Sequence, residues 1–67
     1  MIRHTITIYY DATDGIYVAE IPELEGCATH GRTHEEALVN IKEAYASWTA
    51  AVIANGFTIP EPMKHSA

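Results

Sequence analysis

The stretch IPELEGCATHGRTHEE, residues 21–36, carries the turn, strand and helix-start signals that set the course of the chain. Pro22 has no amide hydrogen to give a ladder, so it ends the strand before it, and Gly26 supplies the backbone angles a reversal needs. Cys27 to His30 then has the length of a short third strand. Thr33 followed by Glu36 is a capping box, in which the hydroxyl accepts from the third helical N–H while the carboxylate reaches back. Glu35 and Glu36 also lie at the positive end of the coming helix dipole.

Working outward, Ile2 to Tyr10 alternates, with Ile2, Ile6 and Ile8 on one face and Arg3, Thr5 and Thr7 on the other. This is the period of a half-buried strand. His4 interrupts the apolar face. The run Asp11 to Gly15 is made of turn formers and leads into a second apolar run, Ile16 to Ile21, giving a hairpin. Downstream of Thr33, Leu38, Ile41, Tyr45, Trp48 and Val52 recur at spacings of three and four, the stripe of a helix that buries one side in a core or against another subunit. Ala37, Ala44 and Ala51 run beside it. Asn55-Gly56 is a helix stop. The spacing predicts a helix from His34 to Asn55, and Phe57 to Ile59 as a brief edge strand before Pro60 and Pro62.

The expected fold is α+β: a β-β-β-α-β domain with a three-stranded antiparallel sheet, one long helix on one face and a short C-terminal edge strand. One domain spans residues 1–62, with a frayed tail at 63–67. The second strand is apolar on both faces, so each face calls for a protein layer, and the helix supplies only one.

A chain of 67 residues with one cysteine builds a core worth roughly 3–5 kcal/mol and has no internal disulfide to support it. Self-association is the expected support, as a dimer or tetramer. The unpaired thiol and the direct entry from Met1 into alternating Ile and Thr point to the cytoplasm, and no apolar run spans a membrane. Nine acidic residues against four basic ones give a net charge of −5. That balance argues against nucleic-acid binding, which needs clustered Lys and Arg, and suits a basic protein partner.

Catalytic sets are missing from the sequence. Cys27 and His30 would point to opposite sides of a strand, Ser47 and Ser66 lack a glycine elbow, and the acid pairs Asp11/Asp14 and Glu23/Glu25 sit on loops. The four glycines are isolated, so no phosphate-cradling loop is present. Cys27, His30 and His34 have a spacing superficially like part of a zinc site but lack a fourth ligand. No metal or other cofactor is expected. Exposed tyrosines on a small sheet mark a surface that a partner covers. The candidate partner-binding residues are Tyr9, Tyr17, Glu20, Glu23 and Glu25.

The run from Tyr17 to Ala44 resembles the HicB family of antitoxins. The matching residues are Tyr17-Val18, Ile21-Pro22-Glu23-Leu24, Gly26-Cys27, Thr29, Gly31, Thr33, Glu35-Glu36-Ala37-Leu38, Ile41 and Glu43-Ala44. Ile59-Pro60 with Pro62 is similar to the family's ending of this domain. The resemblance implies a partial RNase H-like fold without its catalytic carboxylates, homo-oligomers, and binding to a HicA-type toxin, a small basic ribonuclease. It implies a protein that is not an enzyme. Many family members continue into a DNA-binding segment, whereas this sequence stops shortly after Pro62, so autoregulation of transcription by this chain alone is not expected. Two other functions fit the residues: an orphan homo-oligomeric regulator or scaffold without a toxin, and a small metal- or ligand-binding oligomer with a site near Cys27, His30 and His34.

Overall fold

The computed structural model describes residues 3–62. Within them run β1 (Thr7–Asp11), β2 (Ile16–Glu20), β3 (Ala28–Gly31) and α1 (His34–Ala54). The strands form one antiparallel sheet in the order β1-β2-β3. Thr7 pairs with Glu20 and Asp11 with Ile16 across the hairpin, and Tyr17 pairs with Gly31 and Glu20 with Ala28 on the other side. The hairpin loop is closed by the Gly15 amide on the Asp11 carbonyl at 2.8 Å. The Asp11 carboxylate also accepts from the Thr13 amide at 3.0 Å.

Side chains alternate across a strand, so this register sorts the sheet into two faces. Ile8, Ala19 and Thr29 form one row of the helix-facing side, and Tyr10, Tyr17 and Gly31 the next. Ala19 is fully buried there, beside Ile21, Leu24, Cys27, Ala37 and Ile41. Leu38, Ala44, Tyr45 and Trp48 of α1 pack around that cluster, as do Ile6, Ile8, Tyr17 and Ile59. α1 lies closest to β3. Gly31 makes that approach possible: a Cβ there would sit 2.5 Å from the Ala37 amide nitrogen. No side chain fits between the two backbones.

The turn read from the sequence is two successive tight turns. The Leu24 amide bonds the Ile21 carbonyl, the Cys27 amide bonds the Leu24 carbonyl, and the Ile21 amide closes on the Cys27 carbonyl, each at 3.0 Å. Gly26 has φ +79°, the left-handed region that the reversal needs. The helix start is the expected cap, with the Glu36 amide donating to the Thr33 hydroxyl at 3.0 Å. The Glu36 carboxylate reaches one residue further back than a standard box and accepts from the Arg32 amide at 3.1 Å. At the other end the Gly56 and Phe57 amides return to the Ile53 and Val52 carbonyls, which is a Schellman motif.

Three expectations are corrected. Among the described residues β1 begins at Thr7, so residues 3–6 of the expected strand are not part of it, and His4 and Thr5 are held by side-chain bonds instead of by β2. The Thr5 amide lies 3.0 and 3.1 Å from the two Glu23 carboxylate oxygens, and its hydroxyl also donates to Glu23. His4 turns inward, 9% exposed, and donates from Nε2 to the Pro60 carbonyl at 2.7 Å. Its Nδ1 has no partner among the described residues. The third strand is Ala28–Gly31, shifted one residue onward, since Cys27 is taken by the turn. The C-terminal edge strand does not form among the described residues. Pro60 and Pro62 have no amide hydrogen for a ladder, and the segment is anchored by Ile59 against the core and by the His4 bond. The expected tail, 63–67, lies outside the described residues.

Candidate functional site

Among the described residues, the side of the sheet away from α1 has no layer on it. Its central row is Tyr9, Val18 and His30, flanked by Thr7, Glu20 and Ala28 on one side and by Asp11 and Ile16 on the other. Tyr9 is 48% exposed; Ala28 and His30 are exposed and Val18 and Ile16 half-buried. An apolar centre of Tyr9, Val18 and Ile16 is thus edged by the carboxylates of Asp11 and Glu20. Beside Glu20 the surface dips into a shallow hollow lined by Pro22, Leu24, Glu25, Gly26 and Cys27. The hollow is held in shape from behind, because the Trp48 indole donates to the Glu25 carbonyl at 2.9 Å.

The five sequence-derived partner residues therefore divide. Tyr9 and Glu20 stand on the open face, and Glu25 is exposed at the hollow next to it. Tyr17 is on the helix side, edge-on to Tyr10 at 5.2 Å and to the His34 ring at 6.1 Å. Glu23 is engaged within the chain by Thr5. Ile16, Val18 and His30 belong to the open face and were not among the partner residues read from the sequence. Their signal was β2 being apolar on both sides, which only the register resolves.

Cys27, His30 and His34 do not converge. Cys27 is buried beneath the turn, His30 lies on the open face and His34 packs on Tyr17 at the helix start. Among the described residues no three His, Cys, Asp or Glu side chains are grouped to hold a metal ion. Burial pushes the Cys27 thiol above its ordinary range, which suppresses the thiolate a nucleophile needs. No helix among the described residues is long and apolar enough to cross a membrane.

Among the described residues this geometry is a small α+β fold with one sheet face closed by a helix and the other left uncovered. The chain belongs to the family described as HicB_like antitoxin of bacterial toxin-antitoxin system, whose model matches residues 4–66. A UPF0150 protein of Thermoplasma acidophilum is 41% identical over 58 residues, 87% of this chain and 83% of the relative. A UPF0150 protein of Synechocystis is 42% identical over 48 residues, 72% of this chain and 61% of the relative. One from Helicobacter pylori is 57% identical over 28 residues, 42% of this chain and 39% of the relative. No solved structure matches the chain at a significant level.

Proposed function

We propose that this chain is a non-catalytic antitoxin-like protein that neutralises a HicA-type mRNA-cleaving toxin by covering it with the open sheet face. The observation that carries the reading is a sheet side, apolar at Tyr9, Ile16 and Val18 and acidic at Asp11 and Glu20, in a chain with the family's sequence and a net charge of −5. An apolar centre excludes water from the contact while the carboxylates steer a basic partner onto it. Tyr9 and Glu20 make the direct contacts, with Glu25 at the border. Glu23 and Tyr17 act from behind, Glu23 by fixing the approach to β1 and Tyr17 by supporting the sheet end. The protein works in the cytoplasm, where mRNA is cleaved, and as a homo-oligomer.

The test is co-expression with each small basic protein encoded near it. Rescue of growth and a stable complex whose association slows with added salt support the reading. Neither complex nor rescue with any neighbouring small basic protein would overturn it in favour of an orphan scaffold. Within a complex that does form, Tyr9→Ser and Glu20→Lys should each weaken binding.

A further inference from the structure

Asn55 and Gly56, where α1 ends, form the one Asn-Gly step in the chain. Glycine has no side chain to shield its backbone nitrogen, so that nitrogen can attack the side-chain amide carbon of the asparagine before it wherever the backbone lets the two meet. The chain's other asparagine, Asn40, is followed by Ile41, whose branched side chain stands over the nitrogen. Asn40 also lies inside α1 and donates to the His30 carbonyl at 2.8 Å. The native cap keeps the reacting groups of Asn55 and Gly56 apart. Asn55 has ψ 6°, which brings the Gly56 nitrogen over Asn55's own nitrogen and turns it away from the side-chain carbon. The Gly56 amide donates to the Ile53 carbonyl at 3.0 Å, and the Asn55 side-chain amide donates to the Ala51 carbonyl at 2.7 Å. Both bonds have to be released before the two groups can react. Asn55, Gly56 and Phe57 are nevertheless exposed, and the end of a helix opens at a small fraction of the cost of global unfolding.

We propose that Asn55 is a site of spontaneous, one-way modification, gated by opening of the last turn of α1. The Gly56 nitrogen gives up its proton and bonds to the side-chain amide carbon of Asn55. The side-chain nitrogen leaves as ammonia, taking up that proton, and a five-membered imide closes. Water then adds to one or the other imide carbonyl, its hydroxyl going to the carbon and its proton to the nitrogen released. The products are aspartate and isoaspartate, and water is the only co-reactant.

Either product undoes the cap. Aspartate puts an acceptor where a donor faced the Ala51 carbonyl. It also places a negative charge at the negative end of the helix dipole, where the last turn of α1 has no basic residue to offset it. Isoaspartate routes the backbone through the β-carbon, and the added atom displaces the Gly56 and Phe57 amides from the Ile53 and Val52 carbonyls. The segment beyond the cap carries Ile59 to the core and Pro60 to His4, so the loosening passes to both contacts. An ageing chain thereby loses its hold on residues 57–60, and only new synthesis restores the intact cap.

Incubation of the purified full chain at neutral pH and physiological temperature, with and without urea, tests the proposal when followed by peptide mapping and mass spectrometry. The mass gain of an amide becoming a carboxyl should appear at Asn55 and not at Asn40, as separate aspartate and isoaspartate peptides. Conversion should be slower in the folded chain than in urea by roughly tenfold or more, the factor set by the cost of opening the helix end. Asp14-Gly15 can close the same ring without a change of mass, so the mass readout belongs to Asn55. The urea midpoint of the wild-type chain should fall with incubation time, that of Asn55→Ser should not drift, and Asn55→Asp should start low, with faster exchange of the Gly56 and Phe57 amides. Absence of conversion at Asn55 even in urea would overturn the site. Equal rates with and without urea would overturn the gating, and an equal drift in Asn55→Ser would overturn the effect on the cap. These readouts need no toxin, so they stand or fall apart from the antitoxin reading.

Discussion

The two faces of the sheet are both apolar, yet they differ in where their small residues lie. On β2 the neighbours Ala19 and Val18 point opposite ways, and it is the smaller that is fully buried under the helix. The covered face has Gly31 where it comes closest to Ala37 of α1 and Ala19 in the core, with the larger Ile8 and Tyr17 beside them, while the open face keeps Tyr9, Ile16 and Val18. Close backbone approach selects small residues at the point of contact, and elsewhere either face can carry large ones. Hydrophobicity alone does not separate a core face from a docking face.

The largest effects are expected where the covered face is disturbed. Gly31→Val places a Cβ against the Ala37 backbone, and overpacking of this kind costs about 1–3 kcal/mol, more when backbone has to move. Ile41→Ala removes a fully buried side chain, at about 2–5 kcal/mol. Against a total of roughly 3–5 kcal/mol for a domain of this size, either change should abolish the cooperative thermal transition followed by circular dichroism. If both variants melt like the wild-type chain, the contrast between the faces is wrong.

Next in size is Glu23→Ala. Its carboxylate accepts from the Thr5 amide and hydroxyl, and leaving such donors without a partner costs about 1–3 kcal/mol. A lower urea midpoint, with Glu23→Gln falling between wild type and Ala, is the expected outcome. Faster amide exchange at Thr5 in Glu23→Ala would locate the loss.

A pH effect reports on the same covered side. The Cys27 thiol is raised by burial, so above the ordinary thiol value of about 8.5 the unfolded chain gives up its proton before the folded one does. Stability from this group is therefore complete below that pH and declines as pH rises toward the folded value. Urea midpoints measured upward from neutral pH should fall more in wild type than in Cys27→Ala. Alkylation of Cys27 should be slow in the native chain and fast in denaturant.

Much of this was legible in the sequence, and for identifiable reasons. Thr33 and Glu36, Pro22 and Gly26, and Asn55-Gly56 act through bonds to near neighbours, so local spacing located the turn and both ends of α1. The stripe Leu38, Ile41, Tyr45 and Trp48 was readable because it repeats with the helix. What was hidden depends on contacts between distant segments. Glu23 holding Thr5 and His4 holding Pro60 moved the start of β1 and replaced the C-terminal strand, and neither leaves a periodic trace. The sheet faces were undecidable because Ile16 and Val18 are as apolar as Tyr17, Ala19 and Ile21. Only the close approach at Gly31 decides which set meets the helix.

The smallest expected change in stability tests the open face most directly. Val18→Thr keeps the β-branched shape that suits a strand and adds a hydroxyl toward solvent, so the unfolding free energy should shift by no more than about 0.5 kcal/mol. One residue on, Ala19→Val adds volume beneath α1 and should cost about 1–3 kcal/mol. The same pair should reverse in a binding assay against the basic partner. Val18→Thr should weaken capture although the domain is as stable as wild type, because it wets the centre of the contact. Ala19→Val should bind normally at temperatures where it is folded. Were Val18→Thr to lose as much stability as Ala19→Val, the outer face would be holding the monomer together and would not be free to dock.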